Sequence, residues 1–111
     1  MFNGSTNIRE IDLSRFDTSK VTSMFEMFNG CRNLEKIIFG NIDTSSVTNM
    51  QDVFYYCTKL TSIDVSKFDT SKVTTMYKMF SHCESIEFWM YRILLLQKLK
   101  ICMIYLLIVI I

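Results

Sequence analysis

A chain of 111 residues leaves room for one domain, and 50% hydrophobic with 21% charged residues excludes a disordered polar tract. Twelve basic against eleven acidic side chains give a net charge of +1, so nucleic acid is not an expected partner: no excess positive charge exists to neutralise phosphates. Proline is absent, glycine occurs three times, and the single histidine, His82, removes multi-histidine metal sites and most catalytic triads.

Met1 to Thr6 has neither a basic n-region nor an apolar h-region, and no secretory signal is read there. From Ile8 onward the order is repetitive. Asp-Thr-Ser recurs at 17–19, 43–45 and 69–71, a step of 26 residues. The same step relates Val21, Val47 and Val73; Met24, Met50 and Met76; Phe28, Phe54 and Phe80; and Cys31, Cys57 and Cys83. The chain divides into a partial repeat (1–10), three full repeats (11–36, 37–62 and 63–88) and an apolar tail (89–111).

Two hydrophobic rhythms recur in each repeat. Ile8-Ile11-Leu13-Phe16, Leu34-Ile37-Phe39-Ile42 and Leu60-Ile63-Val65-Phe68 alternate as a short strand with one buried face. Val21, Met24, Met27, Phe28 and Cys31, spaced by three and four, predict one stripe of a short helix. Asp-Thr-Ser lies between them, where its side-chain oxygens can satisfy backbone donors at a turn or helix start. Such a unit cannot bury its stripe alone, whereas stacked copies can. The L-x-x-L-x-L pattern within a 26-residue unit has the leucine-rich-repeat form. The expected fold is therefore α/β: a leucine-rich-repeat-like right-handed solenoid with one short parallel strand and one short helix per repeat.

The rhythm runs one step further, through Ile86, Trp89, Tyr91 and Leu94, which allows a fourth strand. The tail then carries no acidic residue, and Ile101 to Ile111 is uncharged but too short to cross a bilayer, which needs about 20 apolar residues. The window 93–111 is long enough but includes Lys98 and Lys100, so insertion is marginal. The tail is read as a capping helix or strand, a marginal membrane segment, or sequence foreign to the repeat.

No catalytic, cofactor or metal site emerges. Cys31, Cys57 and Cys83 suit a buried thiol column. His82 beside Cys83 does not recur at the other cysteines. The Asp17, Asp43, Asp69 column suits turns better than calcium. The candidate protein-binding surface is the outward strand face: Arg9, Glu10, Asp12 and Arg15; Glu35, Lys36, Ile38 and Asn41; Thr61, Asp64 and Lys67. Its mixed charge around an exposed Ile38 suits a protein partner, though an ordinary solvated face has the same composition. Tyr55, Tyr56, Phe25 and Tyr77 form a second group, read as a contact patch or as packing.

The run from Ile63 to Cys83, with Ile11 to Cys31 nearly matching it, resembles the BspA-like leucine-rich-repeat surface proteins, in which LDxSxFDTSxVTxMxxMFxxCxxLxx recurs in tandem. The middle copy departs at Ile38, Gly40 and Asn41. The resemblance implies a non-catalytic, surface-displayed, often adhesive protein that binds protein or cell-surface macromolecules, and it brings no catalytic residues. Phe2-Asn3-Gly4 aligns with Phe28-Asn29-Gly30, so the chain reads as opening inside a repeat. The expectation from this is a fragment or degenerate copy of a longer array, and a remnant without independent function is the alternative. Open ends of such an array can self-associate, and 93–111 can contact a membrane.

Overall fold

The computed structural model describes residues 2–61, 63–65 and 67–86. Positions 62, 66 and 87–111, and with them the expected fourth strand and every reading of the tail, lie outside these residues. Strand β1 (Glu10–Asp12) pairs in parallel with β2 (Lys36–Ile38) in the register Glu10–Lys36, Ile11–Ile37 and Asp12–Ile38. That offset is the sequence repeat itself. Ile63 and Val65 are buried around an exposed Asp64. The inward–outward alternation thus continues into the third repeat, although no strand is assigned among its described residues.

The helical stripe is where structure and expectation differ. No α-helix occurs among the described residues, and the segments after Val21, Val47 and Val73 are successive turns. Their N–H groups alternate in use. Met27, Asn29 and Cys31 donate to the carbonyls of Met24, Glu26 and Phe28 within their own turns, at 3.0, 3.2 and 3.1 Å. Met24, Glu26, Phe28 and Gly30 instead donate to Asn49, Gln51, Val53 and Tyr55 of the next repeat, at 2.9, 3.1, 2.9 and 2.8 Å. The second repeat treats the third the same way, with Met50, Asp52, Phe54 and Tyr56 bonded to Thr75, Tyr77, Met79 and Ser81.

An α-helix would spend its donors within itself and leave neighbouring repeats joined on this side by side chains alone. A stretch this short is also marginal as a helix, since nucleation must be recovered over more residues. The turn solution requires left-handed backbone, and it is present in register: Glu26, Asp52 and Lys78 have φ of 55°, 56° and 53°. Gly4, Gly30, Tyr56 and His82 form a second such column, at 72°, 75°, 60° and 62°.

Between strand side and turn side lies the core, built as columns. Phe2, Phe28, Phe54 and Phe80 stack with centroids 5.6, 5.5 and 5.1 Å apart and planes within 10° of parallel. Leu34, Leu60, Val47, Met50 and Val53 are fully buried beside them. Phe16 is the exception: it is 57% exposed, whereas its equivalents Ile42 and Phe68 are 8% and 7% exposed.

Candidate functional site

Each residue of Asp-Thr-Ser has a separate task. Asp17 and Asp43 each accept from the serine two positions on. Ser19 donates through its N–H at 3.0 Å and its hydroxyl at 2.6 Å, and Ser45 does so at 2.9 and 2.6 Å. Ser71 N–H donates to Asp69 at 2.9 Å. The threonine spans repeats. Thr18 Oγ1 donates to the Asp43 carbonyl at 3.1 Å and accepts from the Asp43 N–H at 2.8 Å. Thr44 does the same with Asp69, at 2.9 and 2.7 Å.

The serine hydroxyl and N–H hold the carboxyls of Asp17, Asp43 and Asp69 below the ordinary carboxylate range, and Ser14 does so for Asp12. A carboxylate whose folded pKa is depressed stabilises the fold above its unfolded pKa. That contribution is lost as pH falls through the folded value. Thermal melts in acid should therefore hold steady from neutral pH down to about pH 4 and fall below it. A midpoint indifferent to acid would contradict this account.

The cysteine column is made of free thiols. Cys31, Cys57 and Cys83 donate through Sγ to the carbonyls of Phe2, Phe28 and Phe54 at 3.1, 3.2 and 2.9 Å. Burial pushes the Cys31 and Cys57 thiols up, which makes them poor nucleophiles. Among the described residues no group of three His, Cys, Asp or Glu side chains is placed to hold a metal ion.

On the strand face the register sets Glu10 beside Lys36 and Asp12 beside Ile38. Arg9, Glu10, Asp12, Arg15, Glu35, Lys36, Asn41, Thr61, Asp64 and Lys67 are exposed. Arg9 contributes its carbonyl to Glu35 N–H at 2.8 Å, and Arg15 lies near enough to help hold Asp12 ionised. Four candidates converge. Ile38, Asp64 and Lys67 line one cleft with Ile37, Phe39 and Gly40, and Lys67 Nζ donates to Gly40 O at 3.0 Å and Asn41 Oδ1 at 3.1 Å. Ile38 is half-buried and not exposed as the sequence implied, because it forms part of the wall of that cleft. No interaction joins Arg9, Glu35 or Thr61 to it among those described.

A second constellation lies on the turn side. Tyr56 and His82 stack at 4.2 Å with planes 2° apart, and the Arg32 guanidinium sits 4.9 Å from the Tyr56 centroid. Tyr55 meets both rings edge-on, and Lys78 Nζ lies 5.2 Å from the Tyr77 centroid and 5.9 Å from that of Tyr55. His82 is exposed in its turn and packs on Tyr56 through one ring face. The signal for the stack was Tyr56, one repeat earlier at the same position.

Among the described residues no helix is long and apolar enough to cross a membrane. Residues 1–91 match a family described as Mycoplasma protein of unknown function, DUF285. No curated protein and no solved structure matches the chain.

Proposed function

The chain belongs to the DUF285 family of Mycoplasma proteins, and from that footing we propose that it is a non-catalytic, protein-binding repeat module acting through its strand face. The reading takes the in-register repeats as a right-handed leucine-rich-repeat-like solenoid of the BspA-like kind, with turns in place of the expected helices. It places the protein at the cell surface in an adhesive role.

One observation carries the binding assignment: the cleft formed by Ile38, Asp64 and Lys67 in the middle of the charged strand face. An apolar wall with a cation and a carboxylate at its edge is the make-up of a protein contact, with a dry centre and a polar rim. The cleft arises where the second repeat departs from the repeat pattern, at Ile38, Gly40 and Asn41.

The test is binding of biotin-labelled protein to intact target cells, with wild type beside Ile38→Glu combined with Lys67→Glu. Wild type should bind cells and lose binding after the cells are shaved with protease. The double variant should bind at least about tenfold more weakly, as expected for truncating an interface centre, while keeping the wild-type melt. Equal binding by the variant, or binding that survives shaving, would overturn the assignment.

A further inference from the structure

We propose that the strand face binds a second copy of this chain, face to face, about a two-fold axis running along the repeat array. The choice of partner rests on the reading of that face as protein-binding.

The 26-residue step sets outward side chains in rows across the strands. One row is Asp12, Ile38 and Asp64, and a second, three residues further along each repeat, is Arg15, Asn41 and Lys67. Asp12 and Ile38 are register partners in β1 and β2. Five of the six are exposed, and Ile38 is half-buried in the wall of the cleft. The first row is therefore acidic at both ends and apolar at its centre. The second is basic at both ends with a neutral amide between. Both neutral centres come from the middle repeat, at positions where it departs from the other two.

A two-fold axis lying in the face, along the array and midway between the rows, exchanges them. Asp12 of one copy then meets Arg15 of the other, and Asp64 meets Lys67, each pair occurring twice because the contact is isologous. An axis along the strands would instead set Asp12 on Asp64 and Arg15 on Lys67, like charge on like. Charge thus selects one face-to-face arrangement and rejects the other.

The groups are prepared for this contact. The hydroxyl and N–H of Ser14 hold the Asp12 carboxyl below the ordinary carboxylate range, the N–H lying 2.9 Å from Oδ1. Lys67 Nζ donates to Gly40 O and Asn41 Oδ1 at 3.0 and 3.1 Å, which stations it at the edge of the cleft. Ammonium has three donors, and no third partner of Nζ occurs among the described residues. At the axis itself lies Gly40, which has no Cβ to hold two backbones apart. The Ile38 side chains of the two copies flank that point, giving an uncharged centre inside a rim of ion pairs. Exposed pairs contribute little each, and strands about 4.8 Å apart make a face of three repeats narrow. The dimer is accordingly weak and reversible, with charge fixing its geometry more than its strength.

Light scattering of the full chain over a wide concentration range at low salt tests this. The mass should rise from one chain to two and level there, since a two-fold contact uses up its face. Raising the salt should dissociate the dimer by screening its opposite charges. Asp12→Lys alone and Arg15→Glu alone each set like charges together at both related sites, and each should weaken self-association at least about tenfold. Mixed in equal amounts, the two variants should pair as wild type does. The lysine of one then meets the glutamate of the other, and the unchanged Arg15 and Asp12 meet at the related site. Asp64→Lys and Lys67→Glu make the same exchange in the third repeat and take over if a first-repeat variant melts below wild type. No cell enters this measurement, so its failure removes the second copy as partner while target-cell binding still decides the face. Wild type fixed at one chain, a dimer indifferent to both reversals, or mixed variants that stay apart would overturn the proposal.

Discussion

Phe54→Ala is expected to lower the unfolding free energy by about 3–5 kcal/mol. In a domain whose whole stability is on the order of 5–15 kcal/mol, that loss leaves little or no folded protein at modest urea. The size follows from position. Phe54 has no exposed surface and stacks on Phe28 and Phe80 at 5.5 and 5.1 Å, so its ring forms part of two interfaces between repeats. Truncation leaves a gap whose walls are also tied by backbone bonds, Phe28 to Val53 and Phe54 to Met79, which limits collapse into it. Phe2→Ala removes one stacking partner from a half-buried ring and should cost distinctly less. Urea midpoints for the pair check the argument. Equal losses would show that the column is not the element joining the repeats.

The layering was legible in the sequence because stacked repeats place identical residues above one another, and the step at Asp17, Asp43 and Asp69 is the register of β1 on β2. The aromatic and thiol columns were legible for the same reason. The turn side was not. Spacings of three and four at Val21, Met24, Met27, Phe28 and Cys31 fit a helical stripe and a chain of three-residue turns equally well. What decides between them is where alternate N–H groups go, and their partners lie a full repeat away. The left-handed column carries no uniform residue signal either, since Glu26, Asp52 and Lys78 share a backbone angle and little chemistry.

The candidate site was legible as a face and not as a cleft. Parity along β1 and β2 says which side chains point outward. That Ile38, Asp64 and Lys67 line one recess with Gly40, whose carbonyl accepts from Lys67, appears only in three dimensions. The Arg32–Tyr56–His82 stack draws its members from three repeats, and only two of them share a repeat position.

Gly40→Ala carries the other large expected effect and separates two causes of glycine dependence. Gly40 has φ of 61°, and a Cβ there would lie 2.6 Å from Ser14 Cα and 2.7 Å from Ser14 Cβ. The left-handed conformation alone costs a residue with a side chain roughly 1–2 kcal/mol. The collision adds roughly 1–3 kcal/mol, because the atom met first is backbone of the first repeat and cannot swing away as a side-chain tip would. Gly4→Ala provides the comparison, with φ of 72° and nothing within 4 Å of the added methyl group. It should cost only the roughly 1–2 kcal/mol of the left-handed conformation, a cost that the tyrosine and histidine at 56 and 82 of the same column also bear. Urea unfolding of both variants reads the difference as the contact between Gly40 and Ser14. The collision also pushes apart the two repeats next to Ile38 and Lys67, so Gly40→Ala should weaken target-cell binding even at temperatures where it is folded. If Gly40→Ala is no less stable than Gly4→Ala, the two repeats are not in contact at this point, and the cleft beside Ile38 has a different shape.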